Sequence, residues 1–104
     1  MVSEKRIQEL ILEALAVVKE AEPVYRNLAL SDATVVLGSG SPFDSIAFTA
    51  FATNLEEKIE DETGEEYILK VDEIFSAQDA GKGLSVRQLA SRVAKLLGQG
   101  ARKK

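Results

Sequence analysis

The sequence predicts an all-α domain: a four-helix bundle of three main helices and one short one, with a long first loop. Three observations predict it. Apolar residues recur at three- and four-residue steps over three separate stretches, the spacing of one helical face and not of a strand. Each stretch opens near a hydroxyl or carboxylate side chain suited to capping and closes on proline or glycine. Finally, 104 residues with 45% apolar content suit one modest core, with no internal repeat or linker to mark a second domain.

The elements follow in order. Ser3 caps a first helix whose inner face is Ile7, Leu10, Ile11, Ala14, Leu15 and Val18, and Pro23 ends it near Glu20 to Glu22. Pro23 to Phe43 reads as a loop, locally extended over Ala33 to Leu37. A second helix starts at Asp44 or Ser45 and carries the stripe Phe48, Phe51, Ala52, Leu55 and Ile59. It ends near Thr63, with Gly64 as C-cap. Beyond it, Tyr67 to Leu69 reads extended, Val71 to Gln78 as one or two helical turns, and Ala80 to Gly83 as loop. The last helix opens on a capping box, Ser85-Val86-Arg87-Gln88, and aligns Val86, Leu89, Val93, Leu96 and Leu97. Gly98 is expected to stop it, leaving 99–104 as a flexible basic tail.

Composition excludes several functions. The chain contains no cysteine, which removes disulfides, thiolate chemistry and cysteine metal sites. It contains no histidine, which removes the usual general base, the usual zinc ligand and any Ser-His triad. A serine hydrolase would need a base that this chain does not offer. No apolar run approaches the roughly 18 residues of a membrane span, and MVSEKRIQEL lacks the order of a signal peptide. The expected compartment is the cytoplasm, with no membrane insertion.

Charge is concentrated. From Asp44 to Ile74 ten carboxylates (Asp44, Glu56, Glu57, Glu60, Asp61, Glu62, Glu65, Glu66, Asp72, Glu73) face only Lys58 and Lys70, whereas the whole chain carries −4. Such a segment repels nucleic acid and complements a basic protein surface. Gly38-Ser39-Gly40 lacks the third glycine of a dinucleotide loop, and Gly81-Lys82-Gly83 lacks the hydroxyl and leading glycine of a P-loop. The acidic run EDETGEEY lacks the order of an EF-hand, leaving at most weak divalent-ion binding.

What remains is GSGSPFDSIAF, residues 38 to 48. Asp44 suits the N-cap, which puts Ser45 at the first helical position, beside unpaired N–H groups that favour a phosphoryl group. In an arbitrary protein this is an ordinary helix start. Here Asp44-Ser45-Ile46, the following NLEEKIEDETG and the final SVRQLASRVAKLL together resemble the acyl carrier proteins, whose hallmark is Asp-Ser-Leu. The resemblance extends in weaker form over nearly the whole chain, through length, acidity and helix order.

The resemblance implies that Ser45 carries 4'-phosphopantetheine and that the chain holds acyl groups as thioesters on that arm. The Ser45 hydroxyl would attack the coenzyme A pyrophosphate within a separate magnesium-dependent phosphopantetheinyl transferase. Asp44 would help dock the transferase, Ile46 would meet partner enzymes, and Glu56 and Glu57 would match the family's acidic pair. Acyl ligases or ketosynthase-type enzymes with basic docking surfaces would be the further partners, meeting a monomeric carrier that is not itself an enzyme. Phe48, Phe51 and Leu55 would line the acyl pocket, although an aromatic stripe at helical spacing is more often plain packing. The pattern departs from the family at Pro42, where a glycine is usual, and at Ala47 and Ala50, where acids are common. These departures and the longer segment after the second helix favour a specialised stand-alone carrier for a lipid or polyketide-type pathway over one serving the central fatty-acid cycle. The rival expectation is an unmodified acidic helical adaptor for protein interactions.

Overall fold

In the computed structural model, which describes residues 3–76 and 81–102, the chain is mostly helical. Helix α1 spans Glu4–Ala21, α2 Ser45–Thr63, α3 Val71–Ile74 and α4 Val86–Arg102. A 3-10 turn covers Pro23–Tyr25, and two short strands, β1 at Val35–Leu37 and β2 at Leu84–Ser85, pair antiparallel with an irregular register. The radius of gyration is 13.1 Å, about the 13 Å of a compact chain of this length.

The local signals explain the helix ends. Ser3 accepts the Arg6 N–H at 3.1 Å, and α1 stops before Pro23, whose ring cannot donate. Gly64 takes φ of +77°, the left-handed conformation that a side chain would oppose, and donates to Glu60 at 2.7 Å. At α4 the capping box closes reciprocally: Ser85 N–H donates to Gln88 Oε1 at 2.9 Å, and Gln88 N–H donates to Ser85 Oγ at 3.2 Å.

One core holds the elements together. All six apolar residues expected to face inward on α1 are buried, and Phe51, Leu55 and Ile59 of α2 and Val86, Leu89 and Val93 of α4 join them. Phe48 and Ala52 are half-buried, while Ala47 takes the innermost place in the first turn of α2. Across the α1–α2 seam, Arg6 near the start of α1 forks onto both oxygens of Glu62 near the end of α2, at 3.1 Å each. Further along, Glu13 meets Lys58 at 3.6 Å, so the two helices run antiparallel.

Four details complete the comparison with the sequence expectations, and one of them, the end of α4, departs from them. Within the long first loop, the stretch expected to be extended contains β1, which pairs with β2 just before α4, a pairing no local period announces. Helix α3 is a single turn, closed by extended Phe75; Gln78 and Ala77 lie outside the described residues, as does Ala80. Helix α4 continues past Gly98 to Arg102. Gly98 and Gly100 cost only about 1 kcal/mol each inside a helix, too little to end one anchored in the core by four buried residues from Val86 to Val93. Of the expected basic tail, 103–104 lie outside the described residues.

Candidate functional site

Asp44, Ser45 and Ile46 form a small exposed platform at the head of α2. The Asp44 backbone is extended, and its carboxylate accepts the Ala47 N–H at 2.7 Å, so the cap expected from sequence is made. Ser45 is the first helical residue and is exposed. Its carbonyl accepts Thr49 Oγ1 at 2.8 Å, and its own hydroxyl bonds to nothing among the described residues. Ile46 is 80% exposed, the most exposed large apolar side chain among the described residues. Neither the serine hydroxyl nor the isoleucine is used by the fold.

The platform is braced from below. The sequence suggests a flexible Gly/Ser loop before Ser45; the structure has a bonded turn instead. Ser41 N–H donates to Gly38 at 3.1 Å, Ser41 Oγ donates to Val36 at 2.8 Å, and the same oxygen accepts Phe43 N–H at 3.2 Å. Phe43 then lies against Tyr25, ring centres 5.2 Å apart, and the Tyr25 hydroxyl accepts the Asp44 N–H at 3.4 Å. Gly38 packs so closely on Gly83 and Phe75 that a Cβ there would come within 3.0 Å of both; at Gly83 it would sit 2.4 Å from the Ser39 carbonyl. Glycine is needed at both positions, which also have φ near +80°. Tyr25, Ser41, Gly38 and Gly83 thus shape the platform, a role the sequence reading did not give them, having weighed Gly38 and Gly83 only as nucleotide-loop glycines. A tyrosine and a phenylalanine 18 positions apart carry no signal of their pairing.

The two glutamates of the acidic pair have parted company. Glu57 is exposed on the outer face of α2. Glu56 is half-buried and turned toward the following segment, where its Oε2 accepts the Leu69 N–H at 2.7 Å. That bond lashes residues 65–70 across α2, with Leu69 buried beneath and Ile68 turned out, 55% exposed. Beneath the first turns of α2, Phe48 and Phe51 tilt against each other with ring centres 5.7 Å apart, and Phe51 and Leu55 are fully buried. The expected pocket lining is therefore core packing in this conformation.

Tyr67 stands out in the same strap. Its ring packs against the core, yet its hydroxyl is buried with no hydrogen-bond partner among the described residues. Burial, with the nearby Glu73 and Glu56 charges, pushes this phenol well above its ordinary pKa of 10.0. At the C-terminal end of α2, the Arg6 guanidinium holds Glu62 below the usual carboxylate value, and Arg6 is raised in turn.

Among the described residues no group of three or more carboxylates is placed to hold a metal ion, and no helix is long and apolar enough to cross a membrane. The chain matches no protein-family model, no curated protein and no solved structure.

Proposed function

We propose that the chain is a carrier protein of the acyl-carrier type, modified on Ser45 with 4'-phosphopantetheine from coenzyme A, and that it serves a specialised lipid or polyketide-type pathway. The observation that carries this reading is the pairing of a free, exposed Ser45 hydroxyl with the 80% exposed Ile46 beside it. A large apolar side chain held in water at a capped helix start adds nothing to the fold and suits contact with a partner. The order of elements, with a long braced loop leading to the head of α2, supports the same reading.

The residues present fit the group. An anionic phosphodiester on Ser45 would sit at the positive end of α2, whose first turn contains no acidic residue. Bound there, the arm supplies the thiol that the chain lacks and holds an acyl group as its thioester. Asp44 fixes the first turn through the Ala47 N–H, Ile46 offers an apolar contact, and Glu57 further along α2 faces a basic partner surface. Glu56 contributes indirectly, by holding the 65–70 strap.

The adaptor reading is favoured by one observation: Ile68 and Val71, 55% and 41% exposed, stand among Glu66, Asp72 and Glu73 on the strap side. Intact mass after incubation with coenzyme A and a promiscuous phosphopantetheinyl transferase separates the two. One phosphopantetheine is expected on the native chain and none on Ser45→Ala, which keeps its helical circular dichroism. Modification at another serine, or none with several transferases, overturns the carrier reading and leaves the adaptor.

A further inference from the structure

The buried Tyr67 hydroxyl is unexplained by packing. Phenylalanine would fill the same space without stranding a polar group away from water, and buried polar groups are otherwise paired. Its setting is specific. The ring lies against the core, under a strap tied to α2 by Glu56 and Leu69, about three helical turns and about 16 Å along α2 from Ser45. We propose that Tyr67 reads the cargo, favouring an acyl chain that bears a neutral oxygen, a hydroxyl or carbonyl, over a fully saturated one. This rests on the carrier reading.

The chemistry narrows the ligand. Burial and the neighbouring carboxylates keep the phenol protonated, so it is a donor and wants an acceptor. Glu56 and Glu73 repel an anion at the same place, which excludes a carboxylate-ended chain. A neutral oxygen is what both conditions leave. An alkyl chain that enters beneath the strap beyond its thioester carbonyl gains apolar contacts but leaves the phenol unpaired, whereas a chain oxygenated on the part that enters satisfies it.

The test loads native protein and Tyr67→Phe on Ser45 with a saturated medium-length acyl chain, its hydroxy counterpart and its keto counterpart. Melting temperature is then read for each. In the native chain at least one oxygenated cargo is expected to raise the melting point above that of the saturated cargo by about 4 °C, the size of shift that one added hydrogen bond gives a domain of this length. In Tyr67→Phe the unloaded protein is expected to be at least as stable, and the difference between cargoes to vanish. Equal melting points for all cargoes in the native chain, or a difference that survives Tyr67→Phe, overturns the proposal. Intact mass keeps the two failures apart: no loading at Ser45 defeats the carrier reading and this inference with it, while loading without discrimination defeats only the role of Tyr67.

Discussion

Asp44 does two separable things. Its carboxylate satisfies the Ala47 N–H, and its charge stands next to Ser45, the proposed modification site. Asp44→Ala removes both and is expected to cost about 1 kcal/mol of stability, read by thermal or urea unfolding. Asp44→Asn keeps a capping oxygen, so it is expected to retain nearly native stability while slowing modification of Ser45. Equal modification rates for Asp44→Asn and native protein would show that the carboxylate serves the fold alone. The residue next to Ser45 on the other side makes a contrasting point, because Ile46 is so exposed that its truncation leaves the core untouched. The cap, and with it the place of Ser45 as first helical residue, was legible in the sequence because capping acts over three residues and the acidic side chain stands directly before the helical stripe.

At the scale of elements, the strap over α2 decides how the acidic pair behaves. Glu57→Lys is expected to leave stability within about 0.5 kcal/mol of native and to weaken transferase binding at low salt. Glu56→Ala strands the part-buried Leu69 N–H and is expected to cost about 1–3 kcal/mol. Unfolding curves and binding at two salt concentrations distinguish them; similar stability losses for both would mean that the strap is not held by Glu56. Two adjacent glutamates look alike in a sequence. Which one turns inward depends on where a segment 13 residues later crosses the helix, and that crossing leaves no local trace. The same holds for β1 and β2, too short to show a period of two and joined across nearly 50 residues. The main helices, by contrast, were readable almost to the residue, since burial repeats at 3.6 residues and Ser3, Gly64 and the Ser85–Gln88 box end them by nearest-neighbour chemistry. Gly98 misled because a helix already docked by its first two turns tolerates glycines near its end, here Gly98 and Gly100.

For the whole molecule, pH tests the packing of the strap over α2 and of the α1–α2 seam. The Tyr67 phenol is raised in the folded state, so below pH 10 both folded and unfolded chains keep it neutral. Above that the unfolded chain ionises first, and stability is expected to fall as pH rises, with Tyr67→Phe flattening the decline. Glu62 is lowered by Arg6, so its contribution is present above the ordinary carboxylate value of 4.5 and is lost as pH falls through the lower folded value. Both partners are exposed, which makes the acid effect the smaller one. Denaturant midpoints from pH 3 to 11 check both arms, and an unchanged alkaline slope in Tyr67→Phe would dissociate that decline from the phenol. The tight seat of Gly38 on Gly83 has a temporal meaning as well. The turn that presents Ser45 is braced by residues made almost 40 positions after it, and by the start of α4, where Val86 and Arg87 N–H donate to Thr34 and Asp32. During synthesis, a chain that has emerged only through α2 lacks that brace, and contacts between distant segments are the slow ones to form. The serine thus reaches its final setting only when the last helix has docked, and, were Ser45 modified as proposed, an enzyme recognising the finished platform would act on completed molecules and pass over unfinished ones.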